Sequence, residues 1–174
     1  MTAATTRFDD LTEDEAVATL LACCASPQWA ARIAAARPYA DLGALLEYAD
    51  TVLTNLPDSE IDAALAGHPR IGDRPDNAAS AREQSAVTDA DRAVLADLRE
   101  ANEQYERTFG HVYLVCASGR TAEELLAVLR TRLGHDAATE RLILRDELVK
   151  ITRLRLTRMA TDDEFLPDPD RKQT

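Results

Sequence analysis

The chain has 174 residues, enough for one domain with a sizeable core, which argues against a multidomain assembly. Its 20 Lys and Arg against 31 Asp and Glu give a net charge of −11, which repels phosphate backbones and anionic lipid surfaces at long range but leaves a local pocket free to hold a small anion. With 6 Gly and 7 Pro there are too few turn residues for an all-β sandwich or barrel, whereas the abundance of Ala, Leu, Glu and Arg is a helical vocabulary.

Helix signals follow in chain order. Thr12 and Glu15 form a capping box that opens a helix to about Cys24, and Ser26 caps the next, with Pro27 at its first position and a stop before Pro38. Asp41 opens a third helix whose Leu45, Leu46, Ala49 and Leu53 share one face. Pro57-Asp58-Ser59 starts a short fourth that ends at Gly67, and residues 80 to 86 hold a short helical segment. Thr88 begins a long helix to Phe109, Thr121 and Glu124 box a helix to about Leu133, and Asp136 caps a final helix through Met159. The segment His111 to Ala117 is strand-like in composition but has no second strand to pair with, so it reads as buried extended chain whose backbone groups need partners. Neighbouring side chains or a ligand could supply them. The expected architecture is all-α, a single-domain bundle of about seven to eight helices with one buried extended segment. Residues 1–160 form the domain and 161–174 a flexible C-terminal tail, with Phe165 and Leu166 tucked against the body.

Cys23, Cys24 and Cys116 are odd in number, and two are adjacent, so no disulfide framework is suggested and a reducing compartment fits. No secretory h-region, long apolar run or peroxisomal tripeptide is present, which points to the cytoplasm and away from membranes.

Three places could carry chemistry. In Gly67-His68-Pro69-Arg70-Ile71-Gly72, Gly67 can adopt a left-handed helix end and Pro69 forces His68 into extended geometry, so the imidazole stands on a stiff corner as either a catalyst or an ordinary packed residue. In Ser80-Ala81-Arg82-Glu83-Gln84, Ser80 and Glu83 read as a third capping box, or as a carboxylate poised near the histidine to orient a hydroxyl and move a proton. Leu144, Leu148, Ile151, Arg155 and Met159 form one helical face, so Arg155 lies on a buried stripe and needs an anion or carbonyls; a salt bridge to Glu140 on that stripe is the plain alternative. Asn102 interrupts a second apolar stripe, as a residue tying a loop to a helix would. The spacings of His68, His111, His135 and the cysteines match no metal motif. A nucleotide-binding glycine loop and a serine-hydrolase elbow are also missing.

Several of these residues, in this order, resemble the 2-oxo-4-hydroxy-4-carboxy-5-ureidoimidazoline (OHCU) decarboxylases of purine catabolism. The resemblance is carried by Cys23-Cys24 with Trp29 and Arg37-Pro38, by His68-Pro69-Arg70-Ile71-Gly72, by Ser80-x-x-Glu83-Gln84, by Asn102-x-x-Tyr105 with Phe109-Gly110, and by Gly119-Arg120-Thr121 through Arg132-Leu133 to Arg155-Leu156. It spans Phe8 to Met159, with Gly134-His135 a small departure where the family often has asparagine. It implies an all-α enzyme that converts OHCU to (S)-allantoin and carbon dioxide without a cofactor or metal. His68 then resembles the family's proton donor and Glu83 its partner carboxylate. Pro69, Ser80, Ala81, Arg82, Glu83 and Gln84, the run Tyr113, Leu114, Val115, Cys116 and Ala117, and Arg155 stand as substrate-binding positions. The partner is a small molecule, with no nucleic acid or membrane, and a homodimer stays open. Two other readings differ in their products: a hydrolase of a related ureido or cyclic-amide compound releases no carbon dioxide, and a non-catalytic helical interaction module binds no allantoin.

Overall fold

A computed structural model of the chain describes residues 7–73, 78–87 and 90–161, and these are all helix, turn and extended connection. After a helical turn at residues 7–9 come α1 (Glu13–Cys23), α2 (Pro27–Ala35), α3 (Leu42–Thr54), α4 (Asp58–Leu65), α5 (Ala78–Glu83), α6 (Arg92–Phe109), α7 (Ala122–Arg132) and α8 (Ala137–Thr161). The all-α expectation holds. Contacts divide the chain into two compact units, one from Met1–Ala64 with Thr152–Thr174 and one from Leu65–Ile151. The expected start at Thr88 and the tail from Asp162 onward, including Phe165 and Leu166, lie outside the described residues.

In the first unit the local signals act as the sequence predicts. Both halves of the Thr12–Glu15 box form, Ser26 Oγ accepts from Trp29 N at 3.1 Å, and Asp41 Oδ1 accepts from Ala44 N at 2.8 Å. Each satisfies an amide that the first helical turn leaves without a partner. Ser26 also donates to Glu60 Oε2 at 2.6 Å, tying the start of α2 to α4. Trp29 is fully buried, and its indole N–H donates to Ala49 O of α3 at 3.1 Å. Arg37 gathers the carbonyls of Phe8, Leu11 and Ala34, closing the N-terminal turn onto the end of α2. Burial pushes the Cys24 thiol up to about 11, so it stays protonated at neutral pH and serves as a small apolar side chain.

The second unit is centred on Ile71, Leu98, Tyr105, Tyr113, Val115, Leu125 and Leu129. Helix α6 ends on Gly110, whose φ of 78° is the left-handed cap that a side chain disfavours. Helix α7 starts with both halves of the Thr121–Glu124 box, and Asp136 Oδ1 accepts from Thr139 N at 2.7 Å to begin α8. Along α8 the buried positions 140, 144, 147, 148, 151, 152, 155, 156, 159 and 160 follow the helical period, and three of them carry charge: Glu140, Glu147 and Arg155. Among the described residues no helix is long and apolar enough to cross a membrane.

Two expected boundaries are corrected. Helix α6 opens at Arg92 after Asp91, which makes no side-chain cap. Ser80 is no N-cap: it sits inside α5, and Glu83 is that helix's last residue. The pattern Ser-x-x-Glu met the requirement for a box, but a box needs its serine just ahead of the first turn, and Ser80 already lies within the helix.

Candidate functional site

The loop after α4 carries His68, and Arg70, Ile71 and Gly72 that follow it are each held by a side chain from elsewhere. His68 N donates to Leu65 O at 2.9 Å, which closes the helix end. The left-handed residue of this loop is Gly72, with φ of 88°, rather than the expected Gly67. A Cβ at Gly72 would stand 3.1 Å from Leu98 Cδ2, so both the turn and the close approach require glycine there. Ile71 buries its side chain in the core while its carbonyl accepts from Asn102 Nδ2 at 2.9 Å, the loop-to-helix tie expected of Asn102. Arg70 makes a bidentate pair with Glu106, both bonds at 2.6 Å. Planar forks of this kind set direction as well as attraction. The half-exposed His68 and Pro69 are thus the outer part of a loop held down at the next three residues.

The Gln84 side chain joins this loop to the second motif. Its Oε1 accepts from Gly72 N at 3.0 Å, and its Nε2 reaches Arg70 O at 3.4 Å. Since a backbone N–H must meet the oxygen, the orientation of the amide is set by its partners. Ser80, Glu83 and Gln84 are buried, whereas Ala81 and Arg82 are exposed, so of this motif the structure gathers the first three side chains and leaves the other two toward solvent.

The extended segment completes the cluster. Tyr113, Leu114, Val115 and Ala117 are buried and Cys116 is partly so. Its backbone partners are largely side chains: Arg132 Nη1 donates to Leu114 O at 2.7 Å, and Glu147 Oε2 accepts from Cys116 N at 2.7 Å. Ala117 O accepts from Arg120 N at 3.0 Å in the turn that follows. Burial raises the Cys116 thiol pKa, and the Glu147 and Glu83 carboxylates push it the same way.

Arg132 is held in turn by Glu140, with Nη2 to Oε2 at 2.8 Å, and it faces the rings of Tyr113 at 4.9 Å and Tyr105 at 5.6 Å. Tyr105 donates its hydroxyl to Glu140 at 2.6 Å. Glu140 therefore belongs to Arg132, not to Arg155 as its shared stripe suggested. Fifteen residues of α8 separate Glu140 from Arg155, about 22 Å of helix rise, which no guanidinium spans. Arg155 lies in the first unit, buried, with Nη1 directed at Cys23 O at 3.4 Å.

Sequence reasoning gave no role to Arg132, Glu147 or Glu106. Glu147 was findable, since it stands seven residues after Glu140 and next to Leu148 on the stripe that contains Arg155.

Comparison with known proteins gives one consistent result. Residues 9–157 match the family model described as OHCU decarboxylase. The uric acid degradation bifunctional protein TTL of Arabidopsis thaliana is 31% identical over 80% of this chain, which spans 46% of that protein's length. The 2-oxo-4-hydroxy-4-carboxy-5-ureidoimidazoline decarboxylase of Amia calva is 28% identical over 75% of this chain and 78% of its own. Among solved structures, an OHCU decarboxylase crystallised in the presence of (S)-allantoin superposes with a TM-score of 0.74 at 28% identity, covering 82% of this chain and 96% of that one. An (S)-allantoin synthase shares the fold, with a TM-score of 0.68 at 16% identity over 89% of this chain and 53% of its own.

Proposed function

The chain belongs to the OHCU decarboxylase family, and from that membership we propose that it decarboxylates OHCU to (S)-allantoin in urate degradation, with His68 as proton donor and Glu83 as the carboxylate that engages the substrate hydroxyl. The observation that carries the residue assignment is the Gln84 bridge. It joins the Ser80-to-Gln84 turn, which carries the buried Glu83, to the loop bearing His68.

The substrate carries its carboxylate on a carbon that also holds a hydroxyl and adjoins an imine. When the bond to the carboxylate breaks, its electron pair moves toward the imine carbon, the imine nitrogen takes up the charge, and carbon dioxide leaves. The substrate provides its own electron sink, so the chain's tasks are to orient the substrate, exclude water and control a proton. Glu83 accepts a hydrogen bond from the hydroxyl, which becomes the product carbonyl as its proton passes to the negatively charged former imine nitrogen, so that the reaction takes up one further proton. His68 delivers a proton to one face of the former imine carbon, which sets the S configuration. Buried Glu83 and half-exposed His68 suit these roles, because the carboxylate stays in place while the imidazole can exchange protons with water.

The test is decarboxylation of OHCU generated from urate by added oxidase and hydrolase, read by the optical activity of the allantoin formed. Spontaneous decay of the substrate gives no such signal. The expected result is one enantiomer from the unaltered chain and only background from folded His68→Asn and Glu83→Gln. Full activity in either variant overturns that residue's role, and failure of the unaltered chain to form optically active allantoin overturns the reaction.

A further inference from the structure

Two backbone groups of the Tyr113–Ala117 segment, which is neither helix nor strand, are each served by a buried charge: Arg132 from the end of α7 takes the Leu114 carbonyl, and Glu147 from α8 takes the Cys116 amide, both at 2.7 Å. The Arg132 and Glu147 side chains are only 4% and 9% exposed. Ions withdrawn this far from water carry a desolvation penalty of several kcal/mol each before they are paired. A neighbouring strand or a neutral amide would satisfy the same two backbone groups without it. The charges add a fixed register. Each backbone group is held by an ion that is itself anchored, Arg132 by Glu140 and by the faces of Tyr105 and Tyr113, and Glu147 by Lys150 at 2.6 Å. A slip of one residue would carry the Leu114 carbonyl and the Cys116 amide away from the ions that hold them.

We propose that Arg132 and Glu147 are positioning residues for the decarboxylation: by holding the Leu114 carbonyl and the Cys116 amide from two helices, they present the Tyr113–Ala117 segment to the substrate in a single register. This rests on the reaction proposed above, and neither side chain needs to touch substrate.

The test uses the full chain with freshly generated OHCU, together with calorimetric binding of (S)-allantoin. Glu147→Ala removes the acceptor for the Cys116 amide, and KM and the allantoin Kd are expected to rise about tenfold, the scale of one charge-assisted hydrogen bond. Glu147→Gln keeps an oxygen that can accept from the same amide and is expected to return both to within about threefold of the unaltered chain. A purely structural role would instead lower the melting temperature while KM and Kd stay unchanged in the folded protein. Unaltered KM and Kd in Glu147→Ala overturn the positioning role and leave the decarboxylation standing. An unaltered chain that forms no (S)-allantoin overturns the decarboxylation itself. Should Glu147→Ala not fold, Arg132→Lys serves instead, because one ammonium can face Glu140 but lacks the second arm of the fork for Leu114; normal KM and Kd in that variant likewise overturn the proposal.

Discussion

Glu140 is fully buried and accepts from three residues: the Arg132 guanidinium, the Tyr105 hydroxyl and, at 2.8 Å, His135 Nδ1. For His135 to donate, its proton must lie on Nδ1, which the carboxylate favours. Burial by itself would raise the Glu140 pKa, but the hydrogen bonds from Arg132, Tyr105 and His135 outweigh it and hold the carboxyl below its ordinary value of 4.5. A depressed folded-state pKa contributes stability that is fully present above 4.5 and is lost as pH falls through the folded value. Glu140→Gln leaves Arg132 buried without its counter-ion, so a loss of about 3 kcal/mol is expected near pH 7. That gap should narrow in acid as the unaltered Glu140 takes up a proton. Urea unfolding of both proteins near pH 7 and about pH 3 checks this, and a gap that stays constant contradicts the assignment. At this scale the sequence was partly legible. Arg155 and Asn102 stood out because each breaks an apolar stripe, yet the partner of Glu140 was misread, since a stripe shows which residues are buried but not which one lies across from them.

Helix starts show how far local chemistry reaches. Thr121 exchanges both bonds of a capping box with Glu124, whereas Asp91 stands at the start of α6 without a side-chain cap. Thr121→Ala is expected to cost about 1 kcal/mol, and Asp91→Ala only a few tenths. Thermal unfolding of the two variants separates them, and equal losses would mean that the caps do not set these boundaries. Helix α6 also organises the site from one face: Leu98 lies under Gly72, Asn102 holds the Ile71 carbonyl, Glu106 holds Arg70, and Tyr105 reaches Glu140. Positions 98, 102, 105 and 106 follow the helical period, so this face could be drawn from the sequence, although its targets could not. The reading of Ser80 as a cap failed because a four-residue pattern says nothing of the turn that precedes it.

For the molecule as a whole, a net charge of −11 opposes the approach of an anionic substrate. If OHCU is the substrate, screening should help it arrive: the Debye length falls from about 30 Å at 0.01 M salt to about 8 Å at 0.15 M. The expected outcome is a kcat/KM that rises with ionic strength across that range, measured with a monovalent salt. A falling value would mean that cations near the site, not the total charge, control encounter. The sequence by itself determined the helices, most of their caps and the motifs that identify the family. All of these depend on groups within a few residues of one another or on residue identity alone. Only the tertiary structure decided that Arg132 and Glu147 grip the extended segment, that Gln84 clasps the His68 loop, and that Glu140 serves Arg132. The Cys116 amide and Glu147 stand 31 residues apart, and a buried charge takes its partner from whatever the packing of the helices brings within hydrogen-bond reach, a distance that no local pattern encodes.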